Sequence, residues 1–167
     1  MTIRIPESEI IRAANEGMDA FIQVFNDAIM EAIGGELNEA TMQELNGEQI
    51  TLLAYIILRN EVMDGGFVQL IHNGYGGLIF LNPFAKAMRL WGAHDFSKLV
   101  YKGRKLFEKY GEELTKECSD EEFMALFEQY PEFDVLDDEF VECEEEVTEI
   151  IARYVDEHIE QFAEIVK

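Results

Sequence analysis

The most distinctive segment is Glu61–Asn73, EVMDGGFVQLIHN, with two carboxylates, a glutamine, a histidine and an asparagine around Gly65-Gly66. Two adjacent glycines allow a backbone geometry that other residues strain, so the run predicts a tight corner between helices. Gln69 and Asn73, four apart, share a helical face, and Phe67 is expected to fold back onto the core. In one reading the polar side chains satisfy buried backbone groups at a structural corner. In the other, Glu61, Gln69, His72 and Asn73 line a small pocket, and Glu61, His72 and Asn73 serve an enzyme. The corner is preferred. His72 with Glu61 and Asp64 makes a hard-metal site on paper, but no second histidine stands at helical spacing, so no metal or cofactor is expected. His158 lies near the apolar stripe of a helix and reads as a packed structural residue. There is no phosphate loop, dinucleotide fingerprint, two-histidine zinc-protease motif or nucleophile elbow, and Gly74-Tyr-Gly76-Gly77 lacks the lysine and spacing for phosphates. No catalytic residue is assigned.

The other chemical resource is carboxylate. The 167 residues carry 35 acids and 13 bases, a net charge of −22, beside a 48% hydrophobic content that suits a globular core and not a disordered acidic chain. Residues 1–111 hold 14 acids and 10 bases, a net of −4, whereas residues 112–167 hold 21 acids and 3 bases, a net of −18. Such a surface repels phosphate backbones and anionic membranes, so direct nucleic-acid or membrane binding is not expected. Glu142, Glu145, Glu146 and Glu149 form a helical row continued by Asp156, Glu160 and Glu164 and interrupted by Arg153. A second group, Asp134, Asp137, Asp138 and Glu139 with Glu132, is expected to precede that helix and flank the row. Acids three or four apart on a helix stand roughly 5–6 Å apart, a spacing comparable to that of phosphates along DNA. The four like-charged pairs among the first four cost together about 1–2 kcal/mol, which a domain stable by roughly 5–15 kcal/mol can carry. The ten numbered acids from Asp134 to Glu160 are therefore the candidate partner-binding set. Lys86–Lys109 runs the other way, with seven bases against Asp95 and Glu108, and serves internal salt bridges or a self-association surface.

The elements that must position these residues read as helices throughout. Helical spacing covers Glu7–Ile33 and stops at Gly34-Gly35. Asn38 caps a short turn to Leu45, and Asn46 precedes an apolar helix over Gly47–Met63. A short helix follows over Phe67–Asn73, then a loop to Gly77. Asn82-Pro83 starts another helix, with the proline at its first position, and Gly92 ends it. Asp95 opens a helix to about Tyr110, and Ser119-Asp-Glu-Glu122 forms a capping box for a helix that Pro131 ends. Apolar positions from Val147 to Val166 mark one long amphipathic helix over Val141–Val166. No strand series appears. The expectation is a single all-α domain over 1–167, a bundle of about seven to nine helices with a long C-terminal amphipathic helix and an acidic last third. The longest apolar run, Ile50–Leu58, is far short of the roughly 18 residues of a membrane span, and the N-terminus turns acidic before any signal-like core. A cytoplasmic protein with free Cys118 and Cys143 is expected.

The run E-V-x-x-G-G-F-x-Q (Glu61, Val62, Gly65, Gly66, Phe67, Gln69), then H-N-x-x-G with Asn73 and Gly76, and later A-K-A-M-R-L-W-G-A with Ala87 and Trp91-Gly92-Ala93, resembles the family that contains bacterial DNA-mimic proteins. Leu70-Ile71-His72-Asn73-Gly74 departs mildly from the family pattern, which has an aromatic and a second small polar residue there. The resemblance implies a mostly helical, non-enzymatic protein that offers a DNA-like charge surface to a basic DNA-binding protein or transcription factor, and that acts as a homodimer. The motif itself reads as a fold signature that does not supply the mimicry. An immunity-type inhibitor of a basic toxin or nuclease is the alternative with the same surface chemistry.

Overall fold

Gly17 divides the first helical stretch. In the computed structural model, which describes residues 2–167, α1 spans Glu7–Glu16 and α2 spans Met18–Ala32, with Gly17 between them at φ 139°. That dihedral is one an L side chain rarely adopts, so the expected single helix turns at its one interior glycine. The short α3 (Glu39–Met42) starts on Asn38, whose side chain accepts from the Thr41 amide as expected. Next come the kinked α4 (Gly47–His72), a π-helical turn (Gly77–Leu81), α5 (Phe84–Leu90), α6 (His94–Leu114), α7 (Asp120–Gln129), α8 (Glu132–Glu157) and α9 (Ile159–Phe162). The fold is all-α. Among the described residues it adds a pair of three-residue strands, β1 (Arg4–Pro6) and β2 (Glu164–Val166), paired in parallel with Arg4 opposite Glu164.

Three boundaries differ from expectation. The long helix begins at Glu132 and ends at Glu157, rather than running from Val141 to Val166, so the acids placed before it are part of it. Glu132 and Asp134 lie in its first turn, where carboxylates favour the free amides and the positive end of the helix dipole. Past Glu157 the apolar pattern serves α9 and β2 instead, so Glu160 and Glu164 do not continue the acidic row on the same helix. Pro83 sits at the cap of α5 and not at its first helical position, and α6 runs a turn beyond Tyr110. The Ser119–Glu122 capping box is present.

By contacts the chain divides into two compact units, residues up to Ile56 with Thr148–Lys167, and Ile57–Val147. In the first, Phe25 and Phe162 meet edge-on among the buried Ile22, Ile29, Leu52 and Ile151. Tyr55 and Thr148, both buried, share a 2.8 Å hydroxyl hydrogen bond. Asn46 and Gln49 make a reciprocal box at the start of α4: the Asn46 Oδ1 accepts from the Gln49 amide and the Gln49 Oε1 from the Asn46 amide. The amides left over reach the far end of the chain, Gln49 Nε2 donating to the Phe162 carbonyl at 3.0 Å and Asn46 Nδ2 to that of Gln161 at 2.8 Å. In the second unit, Phe67, Phe80 and Phe107 form an aromatic row, and Phe96 on α6 packs against Phe140 on α8. Among the described residues no helix is long and apolar enough to cross a membrane.

Gln49 is buried and serves three backbone or side-chain partners, so Gln49→Ala leaves the Phe162 carbonyl and the Asn46 amide unpaired. The expected loss is about 1–3 kcal/mol of stability by urea unfolding, with faster hydrogen exchange at the Asn46 amide. Wild-type stability in the alanine variant would refute the tie.

Candidate functional site

Within the Ile57–Val147 unit, the Glu61–Asn73 run forms a corner as read from the sequence. Gly65 lies at φ −146°, ψ 17° and Gly66 at φ 74°, ψ −177°, breaking α4 into two arms. Polar side chains clamp the arms. Gln69 Nε2 donates to Glu61 Oε2 and to Asp64 Oδ2, both at 2.9 Å, and Asn73 Nδ2 donates to the same Glu61 oxygen at 2.9 Å. Both hydrogens of the Gln69 amide are thus used. His72 is not part of this cluster: its Nδ1 lies 2.8 Å from the Leu114 carbonyl and its ring against Phe123. The structure therefore brings Glu61, Gln69 and Asn73 together, with Asp64, and separates His72 from them. Among the described residues, no group of three or more His, Cys, Asp or Glu is placed to hold a metal ion.

The freed amide at the start of the second arm has a distant partner. Phe67 N–H donates to Asp137 Oδ1 at 2.8 Å, from seventy residues away on α8. A Cβ on Gly66 would collide with that carboxylate, so glycine is required there by both dihedral and space. Burial pushes the Asp137 carboxyl up to about 6, against the lowering effect of the Phe67 amide, with Asp134 and Asp138 raising it further. Asp137 thus differs from the other acids of the candidate set, being directed inward as a cap. The signal was available: it stands four after Phe133 and three before Phe140, both fully buried, and so lies on the core stripe of α8.

The remaining acids of α8 lie outward. Asp134, Asp138, Glu142, Glu145 and Glu146 are exposed at three- and four-residue spacing, while Phe133, Leu136, Phe140 and Val147 fill the opposite face. From Asp134 to Glu146 the row extends about 18 Å at 1.5 Å per residue. Glu139 at its edge meets Lys102 of α6 at 3.4 Å. In the other unit, Glu149 pairs with Arg153 at 2.9 Å, and Asp156 and Glu160 are exposed. Over its whole length α8 carries twelve acids and a single base, so most of this charge has no neutralising neighbour on its own helix. Beside the row, burial raises the Cys143 thiol, with Glu146, Glu139 and Asp95 adding to the shift.

A family model described as DMP19-like protein matches residues 43–158, from the foot of α4 to the end of α8. The chain belongs to the DMP19-like family. A relative, the DNA mimic protein DMP19 of Neisseria meningitidis serogroup B, is 33% identical over 131 residues, covering 78% of this chain and 79% of that protein. Glu61, Gly65, Gly66, Phe67, Gln69 and Asn73, which lie inside the matched range, are in this chain the parts of the clamped corner.

Asn at position 137 retains an acceptor for Phe67 N–H without the buried charge, whereas Ala removes both. Because the folded-state carboxyl lies above its unfolded value, its contribution favours folding most below about pH 4 and is lost as pH rises through about 6. Asp137→Asn is therefore expected to match or exceed wild type in urea stability at pH 7–8 and to flatten the pH 4–6 dependence. Asp137→Ala is expected to lose about 1–3 kcal/mol at pH 7. An Asn variant as unstable as the Ala variant would overturn this account of the cap.

Proposed function

We propose that this chain is a non-enzymatic binding protein that presents carboxylates in place of phosphates to a basic DNA-binding protein. The outer face of α8 carries the proposal: exposed acids at regular three- and four-residue spacing, on a helix whose opposite face is core, in a family with a member named as a DNA mimic. The contact set is Asp134, Asp138, Glu139, Glu142, Glu145 and Glu146 in one unit and Glu149, Asp156 and Glu160 in the other, with Asp137 left to its cap. Attraction comes from the partner's Lys and Arg exchanging their bound anions for fixed carboxylates, so association is fast and sensitive to salt. No cofactor or metal enters this reading. The corner agrees with it, since Glu61 Oε2 already accepts from the side-chain amides of both Gln69 and Asn73.

Titration against a panel of DNA-binding proteins at about 50 and 200 mM salt tests the reading, since a phosphate-like electrostatic contact loses affinity steeply over that interval. The expected result is a partner whose binding weakens at least tenfold with salt and is abolished by combined Glu142→Lys, Glu145→Lys and Glu146→Lys. A complex insensitive to both changes would sink the proposal.

The proposal includes a homodimer, with the exposed Lys98 and Lys105 on α6 free to meet acids of a second copy. Sedimentation is expected to give a dimer in low salt that Lys98→Glu with Lys105→Glu converts to monomer. A monomer at all concentrations rules this part out.

A further inference from the structure

A groove of about 320 Å³ lies in the unit that contains α1, α2 and Thr148–Lys167, bounded by the α1–α2 turn and the last turns of α8. Ala14, Met18, Phe21 and Ala152 make its apolar surface, and Glu149, Arg153 and Asp156 rim it. Met18 is 48% exposed, a large apolar side chain left open to solvent beside two carboxylates. This combination differs from a row of charges. A phosphate-like track recognises only the head of a basic side chain, whereas this groove also has a surface for the stem. Lys and Arg lay their methylenes along apolar groups while keeping the charged head at a polar edge.

We infer that the groove receives one long basic side chain of the partner, its methylenes against Met18, Phe21 and Ala152 and its head at Asp156 and Glu149. The inference rests on the reading of a basic partner made above and names one contact within it. Charge complementarity selects the occupant. An uncharged apolar segment would bury the rim carboxylates without compensation, and an acidic one would meet like charge on a stretch whose net is −18 over residues 112–167. Arg153 already holds Glu149 at 2.9 Å, but both side chains are largely exposed, at 62% and 46%, so the pair is weak and exchangeable. Arg153 occupies the rim position that an incoming guanidinium would take, and thereby competes with it.

Calorimetric titration of the full chain with two peptides of equal, pH-independent charge tests this. One carries arginine, and the other carries 2-amino-3-guanidinopropionate, which has the same head on a single methylene. The arginine peptide is expected to bind about three- to tenfold more tightly, with a more negative heat-capacity change from the buried methylenes. Met18→Ser removes that preference and leaves the short-stem peptide unaffected, and Arg153→Ala strengthens the arginine peptide. Equal binding of the two peptides to wild type, or a preference that survives Met18→Ser, overturns the groove while the carboxylate reading stands. Failure of both peptides to bind overturns the two together.

Discussion

The Phe67 amide and the Asp137 carboxylate hold the Ile57–Val147 unit in its arrangement. A helix that restarts after a kink exposes backbone amides that need acceptors, and local N-cap side chains ordinarily supply them. Gly65 and Gly66 have no side chain to offer, yet nothing larger than glycine fits at 66 because the carboxylate occupies the space. The cap therefore comes from another helix. Fixing Asp137 toward Phe67 also fixes the rotation of α8 about its axis in this unit, together with the burial of Phe133 and Phe140 on the same side. With that rotation set, Asp134, Asp138, Glu142, Glu145 and Glu146 have no direction but outward. The kink and the inner face of α8 thus meet at one contact.

The same face works against helix formation locally. Carboxylates at three- and four-residue spacing repel, and the lysines that usually offset them are missing from α8. Its first turn gains from Glu132 and Asp134, and the rest is held by apolar burial on the inner side. Lys102 and Arg153 neutralise one carboxylate each by exposed ion pairs that contribute little to stability. The acidity is consequently supported by core packing and is not itself a stabilising device.

Much of this arrangement was legible in the residues. The helical class, the Gly65-Gly66 corner, the Ser119 capping box and the Asn38 cap all follow from local signals, whereas the apolar positions from Val147 to Val166 read as one helix and in fact serve α8, α9 and β2. The corner's clamp was half visible, since Gln69 and Asn73 share a face with a carboxylate upstream, but His72 shares their neighbourhood in sequence only and turns to Leu114. Isolated glycines are tolerated in helices, so Gly17 carries no sequence signal of a break, and only its positive φ reveals one. The strands β1 and β2 are three residues each, too short for alternation to register, and their partners lie at opposite ends of the chain. Residue type groups Asp137 with the surface acids, although its spacing from Phe133 and Phe140 places it on the core side.

The sequence by itself determined the segregation of charge, the all-helical class and the family, because composition, capping residues and 3.6-residue periodicity are local properties that need no partner to be read. Only the tertiary structure decided which acids are surface and which is a cap, where the long helix begins and ends, and that an apolar groove lies beside Glu149 and Asp156. Each of those depends on what packs against a helix from far along the chain. A carboxylate's role is set by the group it faces, and that group is named by the fold.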